Sequence, residues 1–322
     1  MIVDFDEAIF SYDKFVNISK ALANQYHDIL QCVTIGKSHD NRDILLLKLG
    51  LGNNYMVCCA GVHAREIINP IVLLRIIEFY AEIFKTYKAE KQDLKNQLLN
   101  TTLYLENEYQ QMMFQSCTYE LLQTFTILFI PLLNPDGYMI SLEGFDSIRN
   151  VPLKKACLHY GIPAKQWKFN ARGVDINRNF PSRLWKQKSK NDKSASENET
   201  RTLIDVFHQY NPLGFLDFHS RGEQIYYYRN TMPDSYNEKQ YKIARRLKEI
   251  TNYRLMLPEE EIDIGDSGGN TVHYFSEQFK KPALTIETVD ENATFPLDPK
   301  YRSSVFDDLK FVIFEFGSMI IS

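Results

Sequence analysis

Apolar and polar positions along this chain fall into blocks that switch between the period of a helix and that of a strand. Residues 6–28 read as an amphipathic helix. QCVTIG (31–36) and RDILLLKLG (42–50) flank the polar KSHDN and predict a hairpin. YMVCCA (55–60) is a short, fully apolar strand that ends at Gly61 and leads straight to His63. Beyond Pro70, IVLLRIIEFYAEIFKTY is apolar on most faces and predicts a long helix packed on a sheet. FTILFIPLL (125–133) is another buried strand, stopped by the turn signal Asn134-Pro135-Asp136-Gly137. Ser196 and Glu199 have capping-box spacing and open the helical run TRTLIDVFHQY. LGFLDF (213–218) is a third buried strand, whose end delivers His219. QIYYYR (224–229), a helix around 236–251, ALTIETV (283–289) and a C-terminal helix from about 301 complete the pattern.

Strands that are apolar throughout and alternate with helices imply an α/β domain whose sheet is covered on both faces. The opening hairpin makes that sheet mixed, though mostly parallel. No repeat or low-complexity linker divides the 322 residues, so residues 1–322 are expected to form one domain, with 1–30 a helical extension packed on it. His63, Asn134, His219 and Glu287 all fall at or just beyond predicted strand ends, where open α/β sheets bind ligands.

Composition narrows the field. A content of 44% hydrophobic and 13% aromatic residues supplies a substantial core. A net charge of −4 with no basic stripe argues against a nucleic-acid partner, and the lysine run Lys186–Ser194 reads as a solvated loop. No stretch approaches the ~20 apolar residues of a membrane span. The N-terminal MIVDFDEAIF carries acids where a leader would carry bases. Cys32, Cys58, Cys59, Cys117 and Cys157 are sparse and odd in number, which suits reduced thiols in the cytoplasm better than a disulfide framework.

The chemistry lies in three places. His63 and Glu66 are three residues apart, so one helical turn would present both to a single metal. H-x-x-E is common by chance, but here it follows a buried strand and a glycine, and His219 ends a separate buried strand. Two imidazoles and a carboxylate suit a zinc site that keeps a fourth position for water. The stretch from Asn170 to Pro181 is too polar for a core strand, and Asn177 and Arg178 offer donors matched to a carboxylate. His27, His39, His159, His208 and His273 lack such a setting and read as structural.

GVHAREIINP, LLNPDGY, GVDINRNFP, FHSRGE and TIETVD, in that order, resemble the zinc carboxypeptidase family that includes carboxypeptidase A. The resemblance covers roughly residues 30 to 316, and FHSRGEQIYYY and WKFNARGVDINRNFP are most similar to its bacterial γ-D-glutamyl-diaminopimelate endopeptidase branch. It implies one Zn²⁺ per chain on His63, Glu66 and His219, with Glu287 as general base. It further implies that Asp175 orients His63, that Asn177 and Arg178 grip the substrate's carboxylate, and that Arg65 lines the groove. The implied substrate is a short peptide with a free carboxylate, such as a cell-wall fragment. A conventional carboxypeptidase is the alternative within the same chemistry. A non-catalytic zinc- or peptide-binding relative, the alternative of another class, would lack a ligand or the base, and this chain has all four residues.

There are departures from the family pattern. The oxyanion-stabilising arginine is replaced by Lys168, with Arg172 close by, and either cation is a candidate. Ile264 stands where carboxypeptidase A-like members carry a mobile tyrosine. Gly268-Gly269-Asn270-Thr271 would line the pocket beyond the scissile bond, without the arginine that endopeptidase relatives place there. Nothing in the sequence speaks to oligomeric state.

Overall fold

The apolar runs pair edge to edge because a buried backbone must satisfy its own hydrogen bonds. A computed structural model describes residues 1–7, 9–97, 106–261 and 268–321. Among them, eight strands form one mixed sheet: β1 (Leu30–Lys37), β2 (Asp43–Gly50), β3 (Asn54–Ala60), β4 (Phe125–Ile130), β5 (Phe215–Ser220), β6 (Gln224–Tyr226), β7 (Arg254–Leu255) and β8 (Ala283–Thr288). Their spatial order is β1-β2-β4-β3-β5-β8-β6-β7. The central β4-β3-β5-β8 block is parallel. β1 and β2 form the expected antiparallel hairpin, and β6 runs antiparallel to β8.

Ten helices cover the sheet: α1 (Tyr12–Gln25), α2 (Asn69–Gln97), α3 (Glu106–Thr124), α4 (Pro135–Glu143), α5 (Val151–His159), α6 (Asn198–Tyr210), α7 (Asp234–Thr251), α8 (Thr271–Phe279), α9 (Tyr301–Leu309) and α10 (Val312–Ile321), counted among the described residues. Strand side chains alternate between faces. Met56, Cys58, Leu216, Phe218, Leu284 and Ile286 therefore join the core under α2, α9 and α10. Val57, Cys59, Phe215 and Ala283 pack on the opposite face, against Phe207 of α6 and Phe275 of α8. Each of the Val, Leu, Ile, Met and Phe side chains among these, fully buried, contributes about 1.5–3 kcal/mol.

Several expectations shift. The first helix starts at Tyr12, capped by Ser11, whose Oγ accepts from the Lys14 N–H at 3.3 Å. The residues before it form a strap, whose Val3 N–H donates to Glu78 at 3.1 Å and whose Phe5 carbonyl accepts from Arg302 at 3.1 Å. The Asn-Pro-Asp-Gly turn signal proves to be a helix start. Asn134 Oδ1 caps the Gly137 N–H at 2.9 Å, and Pro135 takes the first helical position, where its missing N–H costs nothing. Gly137 is required there, since a Cβ would lie 2.4 Å from the Phe169 carbonyl oxygen. Ser196 does not cap α6; its Oγ donates to the Glu197 carboxylate at 2.7 Å and the helix begins at Asn198. All five cysteines are free; Cys58, Cys59 and Cys157 are buried, whereas Cys117 is exposed. No helix among the described residues is long and apolar enough to cross a membrane.

Candidate metal centre and active site

Three neighbouring parallel strands deliver the candidate residues to one sheet edge. Gly61, at φ +64°, turns the chain out of β3 so that His63 follows two residues later. His219 and Glu287 are register partners near the carboxyl ends of β5 and β8. Glu66 Oε1 lies 2.7 Å from His63 Nδ1, and Oε2 lies 3.1 Å from His219 Nδ1. The two Nδ1 atoms face each other at 3.2 Å. One ligand atom from each of His63, Glu66 and His219 falls within a 4.8 Å span.

This donor set fits a cation. Two imidazole nitrogens aimed at one point cannot both carry protons without repulsion, and Glu66 closes the third side. Burial alone would push both imidazoles down, but Glu66 and Asp175 raise His63, and Asp217 and Glu66 raise His219. Burial opposes ionisation of Glu66, yet the two histidines hold it down at about 2. The site therefore gathers negative charge around the two imidazoles and favours positive charge among them, the electrostatics of a metal centre.

The far nitrogen of each imidazole is also held. His63 Nε2 lies 3.2 Å from Asp175 Oδ1. Asp175 starts the short 3-10 turn at Ile176–Arg178, accepts from the Asn177 N–H at 3.0 Å, and meets Lys168 Nζ at 2.7 Å. Burial would raise its carboxyl, but His63 and Lys168 keep it far below the usual range. His219 Nε2 lies 3.0 Å from Oδ2 of Asp217, a fully buried carboxylate that also accepts from the Thr271 hydroxyl. Sequence reasoning passed over Asp217. The available signal was an acid inside the apolar run LGFLDF, two residues before His219 and hence on the same face of β5.

Glu287 is part-exposed beside His219 in the sheet register, while its Oε2 is shut off from water and has no hydrogen-bond partner. Burial pushes its carboxyl up to about 7; His219 and His63 counter this, and Glu66 and Asp217 add to it. Asn177 Oδ1 accepts from the Thr271 N–H at 3.1 Å, and Arg178 Nη1 donates to the Asn177 carbonyl at 2.8 Å. Arg65 stacks its guanidinium 4.3 Å from the centre of the Phe295 ring. Of the two oxyanion candidates, Lys168 pairs with Asp175, which in turn faces His63. Arg172 is directed elsewhere, with Nη1 3.3 Å from Glu197. Ile264 lies outside the described residues.

Arg172 leads to a second cluster, His39, Glu197 and Glu199. His39, a turn residue of unremarkable sequence setting, places Nε2 3.1 Å from Glu197. Here both Glu197 oxygens and Glu199 Oε2 already have donors, while Glu199 Oε1 is buried without one. Asn170 Nδ2 donates to Glu197 at 2.7 Å and to Glu199 at 3.2 Å, so the cluster pins the Asn170 loop. Burial raises Glu199 from 4.5 to about 7. Between those values the folded chain keeps a proton that the unfolded chain has released, so stability falls as pH rises through the window. Denaturant unfolding from pH 4.5 to 8 should show this decline flattened in Glu199→Gln, by ~3 kcal/mol at most. Parallel wild-type and variant curves would contradict it.

The zinc carboxypeptidase family model matches residues 15–305. Gamma-D-glutamyl-L-diamino acid endopeptidase 1 of Lysinibacillus sphaericus is 22% identical over 293 residues, covering 86% of this chain and 65% of that protein. Carboxypeptidase B2 of Rattus norvegicus is 23% identical over 266 residues, covering 76% and 52% respectively. The chain thus spans about half to two thirds of the length of these relatives. Bovine thrombin-activatable fibrinolysis inhibitor, solved in complex with tick carboxypeptidase inhibitor, superposes with a TM-score of 0.71 at 17% identity, over 98% of each chain.

Proposed function

The chain belongs to the zinc carboxypeptidase family, and on that premise we propose that it is a zinc-dependent metallopeptidase that cuts short peptides bearing a free carboxylate. The observation that carries this reading is the convergence of His63, Glu66 and His219 donors within 4.8 Å, with Glu287 beside His219 across the β5–β8 register.

His63 and His219 through Nδ1, together with Glu66, would hold the ion. Zinc bound there supplies a Lewis acid and brings a water into the neutral range of acidity. Glu287 takes the proton from the attacking water and passes it to the leaving amine; a carboxyl at about 7 suits both halves of that task. Asp175 and Asp217 fix the imidazoles from behind, so that each Nδ1 faces inward. Lys168 offers the positive charge for the developing oxyanion. Asn177 and Arg178 grip the substrate carboxylate, with Arg65 along the groove.

For substrate, we favour peptides with a γ-D-glutamyl-diamino acid linkage, such as cell-wall fragments, processed in the cytoplasm. The Lysinibacillus relative, which covers 86% of this chain, supports that reading. Removal of ordinary C-terminal residues is the second reading, supported by the likeness to carboxypeptidase B2. Cleavage of a mixed library of muropeptides and linear peptides, followed by mass spectrometry, distinguishes them. Chelation should abolish cleavage and zinc should restore it. Full activity in demonstrably metal-free protein would overturn the proposal.

A further inference from the structure

The lysine run is the exposed loop expected, and it also lines a cavity that reaches Lys168, Asp175 and Arg178. This cavity, of about 950 Å³, has Lys168, Arg172, Arg178, Lys186, Lys188 and Lys193 in its wall. It is large enough for a ligand of several residues. Its acids are Asp175, Asp192 and Glu197, and each is engaged. Asp175 pairs with Lys168 at 2.7 Å, and Glu197 pairs with Arg172 at 3.3 Å. Asp192 closes its own loop, accepting from the Lys188 and Ser189 N–H groups at 3.0 and 2.8 Å. The ammonium groups of Lys186 and Lys193 have no ion-pair partner among the described residues, and Lys188 has the charge of Asp192 nearby.

The loop is anchored next to the substrate-gripping residues. Asn179, adjacent to Arg178, donates to the Lys193 carbonyl at 3.0 Å and accepts from the Ala195 N–H at 2.6 Å. Trp185 stands over Gly269, where a Cβ would meet its ring at 2.7 Å. The cavity wall thus extends from Lys168 and Asp175, which stands behind His63, past Arg178 to the three lysines. Unpaired charges of one sign lining a concave wall attract and retain a ligand of the other sign.

We infer that this cavity receives an anionic portion of the substrate, so that the peptide carries at least one carboxylate beyond the one held at Asn177 and Arg178. This inference rests on the reading of those two residues as the carboxylate grip. Lys186, Lys188 and Lys193 act on binding and not on the proton transfer, so their effect falls on KM.

The test uses zinc-loaded full chain and matched peptides that share one scissile bond and differ beyond it by Glu, Gln or Lys. Wild type should prefer the Glu peptide over the Gln peptide by about tenfold in kcat/KM, through KM, and the preference should shrink as salt screens the charges. In Lys186→Ser/Lys188→Ser/Lys193→Ser the ratio should fall to within about twofold, and Lys188→Glu should move it toward the Lys peptide. Equal wild-type handling of the Glu and Gln peptides, or a preference that survives the triple substitution, overturns the inference. If zinc-loaded wild type cleaves none of them, the metallopeptidase reading fails instead. Equilibrium binding of the same peptides to the zinc-loaded chain then still decides the charge preference, tighter Glu binding upholding it and equal binding ending it.

Discussion

Glu287→Gln should lower kcat by ~10²-fold or more while zinc stays at one ion per chain, since a general base contributes ~10²–10⁴-fold. Glutamine keeps the shape of the side chain and removes its proton-accepting charge. The carboxyl is the one placed for the task. Its strand pairs with that of His219 in register, its Oε2 is buried without a partner, and burial holds it at about 7. The proposed metal donors are other side chains, so zinc content measured by mass spectrometry should not follow the loss of turnover. A Glu287→Gln enzyme turning over near the wild-type rate would falsify the assignment.

Asp217→Asn should weaken zinc affinity by ~10–100-fold, the range found when a partner behind a metal-bound histidine is replaced. Asp217 Oδ2 sits 3.0 Å from His219 Nε2 and accepts the Thr271 hydroxyl, while Oδ1 is buried with no hydrogen-bond partner. The carboxylate thus sets a negative charge against His219 that strengthens it as a donor, at the cost of an uncompensated oxygen. Asparagine removes the charge with little change in volume. The metal-free chain should therefore melt close to wild type, and the loss should appear as a smaller stabilisation by added zinc. Chelator competition gives the affinity directly. A dissociation constant within twofold of wild type would show that Asp217 is only packing.

Different parts of this molecule were legible to different degrees. The α/β class followed from apolar runs and their spacing, because a buried parallel strand must be apolar on both sides. His63, Glu66, His219 and Glu287 stood out because each follows or ends such a run, and a parallel sheet gathers its strand ends on one edge. Asn134 to Gly137 misled for a local reason: the residues that make a turn also start a helix, and only the hydrogen bond to Gly137 distinguishes them. Asp217 went unremarked because an acid in an apolar run has meaning only once its neighbours are known.

Covalent spacing along the chain was enough to determine the layered fold and the sheet edge at which the candidate donors His63, Glu66 and His219 meet. The tertiary structure alone decided which cation faces which acid. It turned Arg172 toward Glu197 and Lys168 toward Asp175, set Asp217 behind His219, and brought an exposed lysine run to the rim of the cavity that Asp175 and Arg178 also line. The reason is that a charge takes its role from the charges within a few ångströms, and here several of those neighbours come from segments more than a hundred residues apart, as with Asp175 behind His63.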